Sequence, residues 1–508
     1  MQSKPTPPGK ILILGGGTAG SMAAMLFAHA WKDSGVEITL LESQHIGIIA
    51  VGEGSTPKMR MFFDKIGVPE SEWIPECKAT YKCGISFPKW STHKGFESYY
   101  HPFFTMSDDA TIRAFAQNVA IRNKNFKAHA HPDAFFVSNY LAKSRRAPLP
   151  DEKTQYKTDY GYHFDAKLIG DFLKKKCVEQ GVKHVIDTVT AVNRKATGEI
   201  ESVQTEQHGV MEADLFVDSS GFKSLLIGEE LNVPFKSYGD VLFNDRAVAL
   251  PTPLDSEETL PSQTVSTALK CGWVWKIPLT NRFGNGYVYS SSHLTADAAE
   301  KELREHIQLP DESVEARHLE MRVGRLERHW EQNCLAVGLS QGFIEPLEAT
   351  ALMIVQDTIE NFISLYERGG FTDKYQRDFN TKVNLIFDSI KDFIFMHYKL
   401  NSRSDTDYWI ENRENQNVSD SVTRILDVWD NGGDLLSELM SQSDHLAYSP
   451  TSWFCILAGM GRFPKNPKKV KKKANAVDPD EVRRYCEQIV PHFPDHRTLI
   501  DRMATLAA

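Results

Sequence analysis

Cysteine pairs, long apolar runs and a basic excess are all missing from this chain. Its seven cysteines are odd in number and scattered, with no CxxC pair: Cys77, Cys83, Cys177, Cys271, Cys334, Cys455 and Cys486. That usage suits reduced intracellular thiols and argues against a disulfide framework or a zinc site. HAHPD (129–133) does not have the spacing of a standard zinc motif, so no metal is expected. No run approaches 18 apolar residues, and the polar, proline-rich start does not read as a signal peptide. The expectation is a cytoplasmic chain with no membrane partner. A formal net charge of -9 argues against a nucleic-acid partner, because phosphate binding needs a basic face. One basic run, 465–473, reads as a solvated loop, although a localisation or polyanion signal is the other reading. No internal repeat is present.

What remains is ordinary globular material, 41% hydrophobic and 25% charged. At roughly 150 residues per domain, 508 residues suggest about three domains or one large core with additions. Ile11–Leu14 is a short apolar run, as a buried parallel strand would be. It leads into GGGTAG and a helix-forming stretch, then into a second apolar run that ends at Glu42. This is a βαβ unit. Gly15, Gly17 and Gly20 make GxGxxG between strand and helix, and Glu42 lies 22 residues beyond Gly20. A lone GxGxxG is weak, but here the strand, the helix and the acidic residue are all in place. The glycines let backbone approach a pyrophosphate at a helix N-terminus, and the carboxylate can hold a ribose hydroxyl.

GNG at 284–286 and GMGRFP at 459–464 both lack a third glycine, so one dinucleotide is expected, not two. VGEGSTP (51–57) is a glycine-rich loop that either approaches a large cofactor or is a plain turn. LFVDSSG (215–221) and NCLAVG (333–338) read as later strands of the same sheet. From about residue 349 the chain is mostly helical: ALMIVQDTIENFISLYERGG is one amphipathic helix ending at a glycine pair, and 376–400 and 417–443 are further candidates.

WVWKIP (273–278) places Trp273 and Trp275 on one side of a strand that Pro278 ends. Together with GGGTAG, VGEGSTP, DSSGF (218–222), GYVYSS (286–291) and GFIEPLEAT (342–350), it resembles the flavin-dependent halogenases of the tryptophan-halogenase type, from about residue 10 to residue 461. WxWxIP with EPLE is far more specific to that family than GxGxxG.

The resemblance implies an α/β fold: an FAD-binding Rossmann-like module of the GR2 flavoprotein-monooxygenase kind over 1–370, with substrate-contacting insertions at about 80–160 and 230–325. A mostly helical region, 371–508, then closes the substrate site. It implies FAD, used as FADH2 from a separate flavin reductase, and a halide, chloride or bromide. In the family a flavin C4a-hydroperoxide oxidises halide to hypohalous acid, which passes through a tunnel to a lysine and halogenates a small aromatic. A homodimer is compatible with it.

Residue by residue, the family lysine matches Lys82 in ATYKCGISF. As one strand, that segment would put Thr80, Lys82, Gly84 and Ser86 on one face. Partial burial would favour the neutral amine. Taken without the resemblance, Lys82 reads as an edge-strand lysine facing water. Glu348 matches the family carboxylate and is expected at the start of the long helix, to polarise the oxidant or to take the ring proton. Its plainer reading is a helix-dipole glutamate. Glu345 matches no catalytic role and reads as structural. Besides Gly15, Gly17, Gly20 and Glu42, the resemblance assigns Thr18, Ala19, Gly52, Glu53, Ser55, Gly338 and Leu347 to the cofactor.

Thr350 and Ala351 match the halide position, although Ala349 stands where serine is usual and Ala351 where glycine is usual. His101 and Phe103 match the ring-sandwiching residues, and Trp453 and Phe454 the closing segment. Tryptophan-specific members typically carry two tyrosines there, and slightly later an acid for the substrate ammonium. Here no acid appears before Asp478, so free tryptophan is expected to be a poor substrate and an indole-like or larger aromatic the better one. The two tryptophans would form a wall between flavin and substrate. A flavin monooxygenase that hydroxylates its substrate, or a flavin-binding regulator without turnover, remains an alternative.

Overall fold

The computed structural model describes residues 6–44, 52–150, 153–154, 156–254, 259–310, 313–464 and 475–507. The lysine-rich run 465–473 and the first residue of VGEGSTP lie outside the described residues.

The glycine-rich motif sits where an apolar strand meets a helix. Strand β1 (Lys10–Leu14) is followed by helix α1 (Thr18–Ala30) and strand β2 (Glu37–Glu42). β1 pairs in parallel with β2 on one side and with Leu215–Asp218 on the other. Cys334–Ala336 continues the sheet, with Trp330–Glu331 at one edge and Lys183–Ile186 at the other. Ile11, Leu12, Ile13 and Leu40 are buried because helices and loops cover both faces, as continuous apolar runs require. The two later strands expected from LFVDSSG and NCLAVG belong to this sheet.

A seven-stranded sheet carries the tryptophan strand. Its order is Arg317–Glu320, Arg246–Pro253, Arg282–Tyr289, Gly272–Pro278, Thr264–Leu269, Gly84–Pro88, Ser98–Pro102. Alternation sorts its two faces. Val248, Leu250, Val274 and Tyr287 pack with Ala299 and Leu303 of helix Ala296–His306, while Trp273, Trp275 and Ile277 enter the main core.

A third sheet is small and central: Gly52–Gly54, Gly161–Asp165 and Thr80–Lys82, with Gly161–Asp165 in the middle. Here the structure corrects an expectation. ATYKCGISF is not one strand, because it breaks at Cys83. The Cys83 N–H donates to the Ser262 carbonyl (2.7 Å), and its carbonyl accepts from Phe103 N–H (3.1 Å). Thr80–Lys82 therefore stays with Gly161–Asp165, and Gly84–Pro88 crosses to the large sheet. Thr80 and Lys82 do not share a ladder face with Gly84 and Ser86.

The C-terminal part is helical, beginning with Ala351–Arg368 and Gln376–Lys399. The candidate 417–443 divides into Asp420–Asp430 and Leu435–Ser441 at Gly432–Gly433, where Gly432 has φ +67° and Asp434 caps the second helix. Helices Pro450–Gly459, Pro479–Ile489 and His496–Ala507 follow. One hydrophobic cluster runs from Ile11 to Ile500, so these helices share a core with the sheets. Among the described residues, no helix is long and apolar enough to cross a membrane.

Candidate active site

At the C-terminal end of β1 the backbone is drawn tight. Gly15 has φ +114°, and a Cβ there would lie 2.2 Å from the Ser219 carbonyl oxygen. A Cβ on Gly20 would strike the Gly15 carbonyl at 1.9 Å. Among the described residues, nothing lies within 4 Å of the would-be Cβ of Gly17. It caps α1 without a side-chain hydrogen bond, and no acid occupies the first turn. Thr18 and Ala19 therefore begin a helix whose first N–H groups lack intrahelical partners. Gly338 (φ +65°) packs against Ala19, its would-be Cβ 2.6 Å from the alanine methyl. This cradle fits the pyrophosphate of a dinucleotide.

Glu42 ends β2 beside Gly16, whose would-be Cβ lies 2.0 Å from Oε2. Glu42 also accepts from His184 (2.8 Å) and Lys174 (3.2 Å), so a ribose would share it with a histidine and a lysine. Gly16 and Ser219 escaped the sequence reading. The third glycine of GGG was the available signal for Gly16.

Gly52, Glu53 and Ser55 lie on or beside the strand Gly52–Gly54. Gly52 packs on Ile277 and Gly284. Burial, then the nearby Asp165, pushes the Glu53 carboxyl up to about 7. Ser55 is tied into the small sheet, its hydroxyl accepting from Tyr162 N–H at 3.0 Å. Leu347 is buried in the 3-10 turn Pro346–Glu348.

That turn carries the acidic group. Ala349 takes the left-handed conformation (φ +57°), which costs a non-glycine residue about 1–2 kcal/mol, and Thr350 then starts helix Ala351–Arg368 without a side-chain cap. The first N–H groups of the helix are left for an anion. Thr350 is buried and Ala351 exposed, so the alanine methyl borders open space. Glu348 is only 4% exposed. Both its oxygens lie 2.9 Å from His101 Nδ1, and Oε1 lies 3.2 Å from His397 Nε2. The Tyr99 hydroxyl is 2.8 Å from the same His397 nitrogen. Burial alone would raise the Glu348 carboxyl, but the charges and hydrogen bonds of the two histidines outweigh it and hold the group at about 2. Glu348 is therefore an ionised carboxylate. It is held by buried imidazoles and not merely by a helix dipole.

Lys82 does not face water as an edge-strand lysine would. It is 0% exposed, and its Nζ has no hydrogen-bond partner among the described residues. Burial lowers the ammonium to about 7, against the pull of Glu348. Phe103 is its ring neighbour, with Nζ 5.4 Å from the centroid.

His101, Phe393, Tyr448 and Trp453 form an aromatic cluster. Phe393 stacks on Tyr448 at 3.7 Å, with Trp453 edge-on at 5.2 Å and His101 at 5.6 Å. Among the described residues the Tyr448 hydroxyl and the Trp453 N–H are buried without partners, so the cluster holds two unused neutral donors. Phe454 is buried in the main core but outside the ring cluster. The sequence reading missed His397, Phe393 and Tyr448: the first two lie on one turn of a long helix, and nothing local marks them.

Trp273 donates its indole N–H to Glu345 Oε2 at 2.8 Å. The same oxygen accepts from the Tyr398 hydroxyl (2.6 Å) and Asn244 (2.9 Å). Glu345, three residues before Glu348, thus ties the tryptophan strand to the acidic turn. Trp275 lies over Gly286, where a Cβ would meet its ring at 2.1 Å, and its centroid is 6.2 Å from that of Trp273.

Comparison with known proteins places this arrangement in context. Residues 10–476 match the family model described as tryptophan halogenase. The chain is 35% identical to the tryptophan 6-halogenase SttH of Streptomyces toxytricini over 488 residues, covering 91% of each chain. It is 35% identical to the tryptophan 7-halogenase RebH of Lentzea aerocolonigenes over 485 residues, covering 90% of each. Among solved structures it superposes on Tar14, a tryptophan C-6 flavin-dependent halogenase from taromycin biosynthesis, with a TM-score of 0.85 and 33% identity, covering 98% of this chain and 99% of that one.

Proposed function

The chain belongs to the tryptophan-halogenase family of flavin-dependent halogenases, and from that premise we propose that it transfers a halogen from hypohalous acid to an electron-rich, indole-like aromatic, with Lys82 and Glu348 as the catalytic pair. The observation that carries the residue assignment is Lys82: a buried lysine with no hydrogen-bond partner among the described residues, lowered to about 7 by burial and within the electrostatic reach of an ionised Glu348.

FAD, delivered reduced by a separate reductase, supplies with oxygen the oxidising power that turns chloride or bromide into hypohalous acid. Gly15, Gly17, Thr18, Ala19, Gly20 and Gly338 would hold its pyrophosphate, and Glu42 its ribose. Gly52, Glu53, Ser55 and Leu347 would complete the contacts to the cofactor. The amides at Thr350 and Ala351 would hold the halide. As a donor, Lys82 hydrogen-bonds the acid oxygen, so that when the O–X bond breaks the hydroxide leaves as water. As a neutral amine, it can instead carry the halogen. Glu348 accepts the proton released from the ring carbon, and His101 and His397 keep the carboxylate ionised.

His101, Phe103 and Trp453 would sandwich the substrate ring and expose one edge to Lys82. Phe454 closes the site from the helix behind. The donors of Tyr448 and Trp453 suit an aromatic bearing neutral acceptors. With no added acid in the 459–461 segment, the ammonium of free tryptophan lacks an ionic partner. Trp273 and Trp275 act as a partition that keeps an organic ring from the flavin.

The test supplies a flavin reductase, NADH, FAD and bromide, and screens an aromatic panel by mass spectrometry. Brominated products that disappear in Lys82→Ala are expected. Products that gain oxygen without bromide would instead make this a hydroxylase.

A further inference from the structure

Behind Lys82 lies a second polar group that the scheme above does not use. The small sheet places His163 directly opposite Thr80 and Gly54. His163 is fully buried between two threonines: Nδ1 is 3.1 Å from Thr80 Oγ1, and Nε2 is 2.9 Å from Thr264 Oγ1.

The chain of hydrogen bonds fixes its own direction. The single Thr80 hydroxyl proton goes to the Pro278 carbonyl at 2.7 Å. Thr80 can then only accept from His163, so Nδ1 carries the ring proton and Nε2 is a lone pair. That lone pair accepts the Thr264 hydroxyl proton. Burial, together with the positive charges of Lys82 and His496, holds His163 well below the usual histidine range, so it stays neutral and keeps this role.

Thr264 is thereby oriented. Its proton is taken up by His163, so towards any other neighbour it can only accept. Gly54 shows what faces it. An atom at the position of a Gly54 Cβ would lie 3.2 Å from Lys82 Nζ, 3.6 Å from Thr264 Oγ1 and 3.6 Å from the Ala349 methyl. Gly54 contributes no side chain there, so a donor, Lys82 Nζ, and an acceptor, Thr264 Oγ1, flank the same face of its backbone beside the Ala349 methyl.

We propose that hypohalous acid is held between Lys82 and Thr264, with Thr264 as the acceptor for its O–H and His163 as the positioning residue that locks the Thr264 proton away. Lys82 then donates to the same oxygen from the other side. The two bonds fix the oxygen and leave the halogen as the unbound end, free to meet the ring. In the transfer the O–X bond breaks and the C–X bond forms. The Lys82 proton completes water, which keeps its bond to Thr264, and the ring proton goes to Glu348. The inference rests on the proposed function and adds the group that orients the oxidant.

The test measures halogenated product per flavin oxidised, with a diffusible halogen acceptor added to trap escaped acid. Thr264→Val is expected to lower product about tenfold, the scale of one lost hydrogen bond, with a matching rise in trapped halogen. Thr264→Ser should retain wild-type coupling. His163→Gln, which keeps an acceptor near Nε2, should stay close to wild type, while His163→Leu should fall with Thr264→Val. Unchanged FAD affinity, read by fluorescence, certifies that each variant is folded. Full coupling in Thr264→Val, or a Thr264→Ser variant as poor as Thr264→Val, would overturn the inference. Equal coupling in the two His163 variants would overturn the part given to His163. A wild-type protein that forms no halide-dependent product would instead sink the function reading itself.

Discussion

Lys82 should make the protein less stable than it would be without it. Replacing it with methionine keeps the stem and removes the charge. In the unfolded chain the lysine titrates near 10.5, and in the folded chain near 7. Below pH 7 both states are protonated, and the folded state carries the whole penalty of a buried ammonium. Between 7 and 10.5 the unfolded chain binds more protons, so stability rises with pH and the penalty fades. That lowering corresponds to about 3–5 kcal/mol at pH 6 and about 2 kcal/mol at pH 9. A chain of this length loses about 1 kcal/mol per degree near its melting point. Lys82→Met is therefore expected to melt about 3–5 °C higher than wild type at pH 6 and about 2 °C higher at pH 9, read by calorimetry in matched buffers. A variant that melts lower, or a gain independent of pH, would refute the claim that Lys82 is a buried, unpartnered charge. Stability given up at a site in this way is what catalysis commonly requires.

Three further outcomes follow from the same geometry. Gly54→Ala puts a methyl 3.2 Å from Lys82 Nζ at a position whose φ is not left-handed; halogenation should fall by a factor of about 10² or more while FAD binding and melting temperature hold, and retained product would show that this face of Gly54 is not used. Glu345→Leu strands the Trp273, Tyr398 and Asn244 donors; a loss of about 3–5 kcal/mol is expected in thermal unfolding, and a neutral result would deny that this carboxylate ties the partition to the acidic turn. Ala351→Gly removes the methyl beside the helix start and should shift the ratio of bromide to chloride turnover; an unchanged ratio would mean that this methyl does not border the halide.

Much of the nucleotide end was legible in the sequence, because GxGxxG, the apolar runs flanking it and Glu42 are local patterns. The resemblance carried Lys82 and Glu348, and the structure supplied their surroundings. What the sequence could not disclose was mostly long-range. His397 meets Glu348 from a helix some fifty residues away, and Thr264 meets His163 across about a hundred. Neither pairing follows a period or a spacing. The break at Cys83 was hidden for a related reason. Alternation in ATYKCGISF is compatible with one strand, and only the partners Ser262 and Phe103 pull the two halves into different sheets. Glu345, set aside as structural, is structural in a specific sense: it is where the tryptophan strand is fastened.

The central claim is that halogen reaches the ring by way of Lys82. The most direct measurement is a single turnover with reduced FAD, oxygen, bromide and an accepted aromatic, comparing wild type with Lys82→Met. Brominated aromatic is expected from wild type. From the variant none is expected, with flavin oxidation unaltered and the bromine recovered by a diffusible acceptor. Brominated aromatic formed equally by Lys82→Met, or a wild-type product bearing oxygen in place of bromine, would contradict that claim.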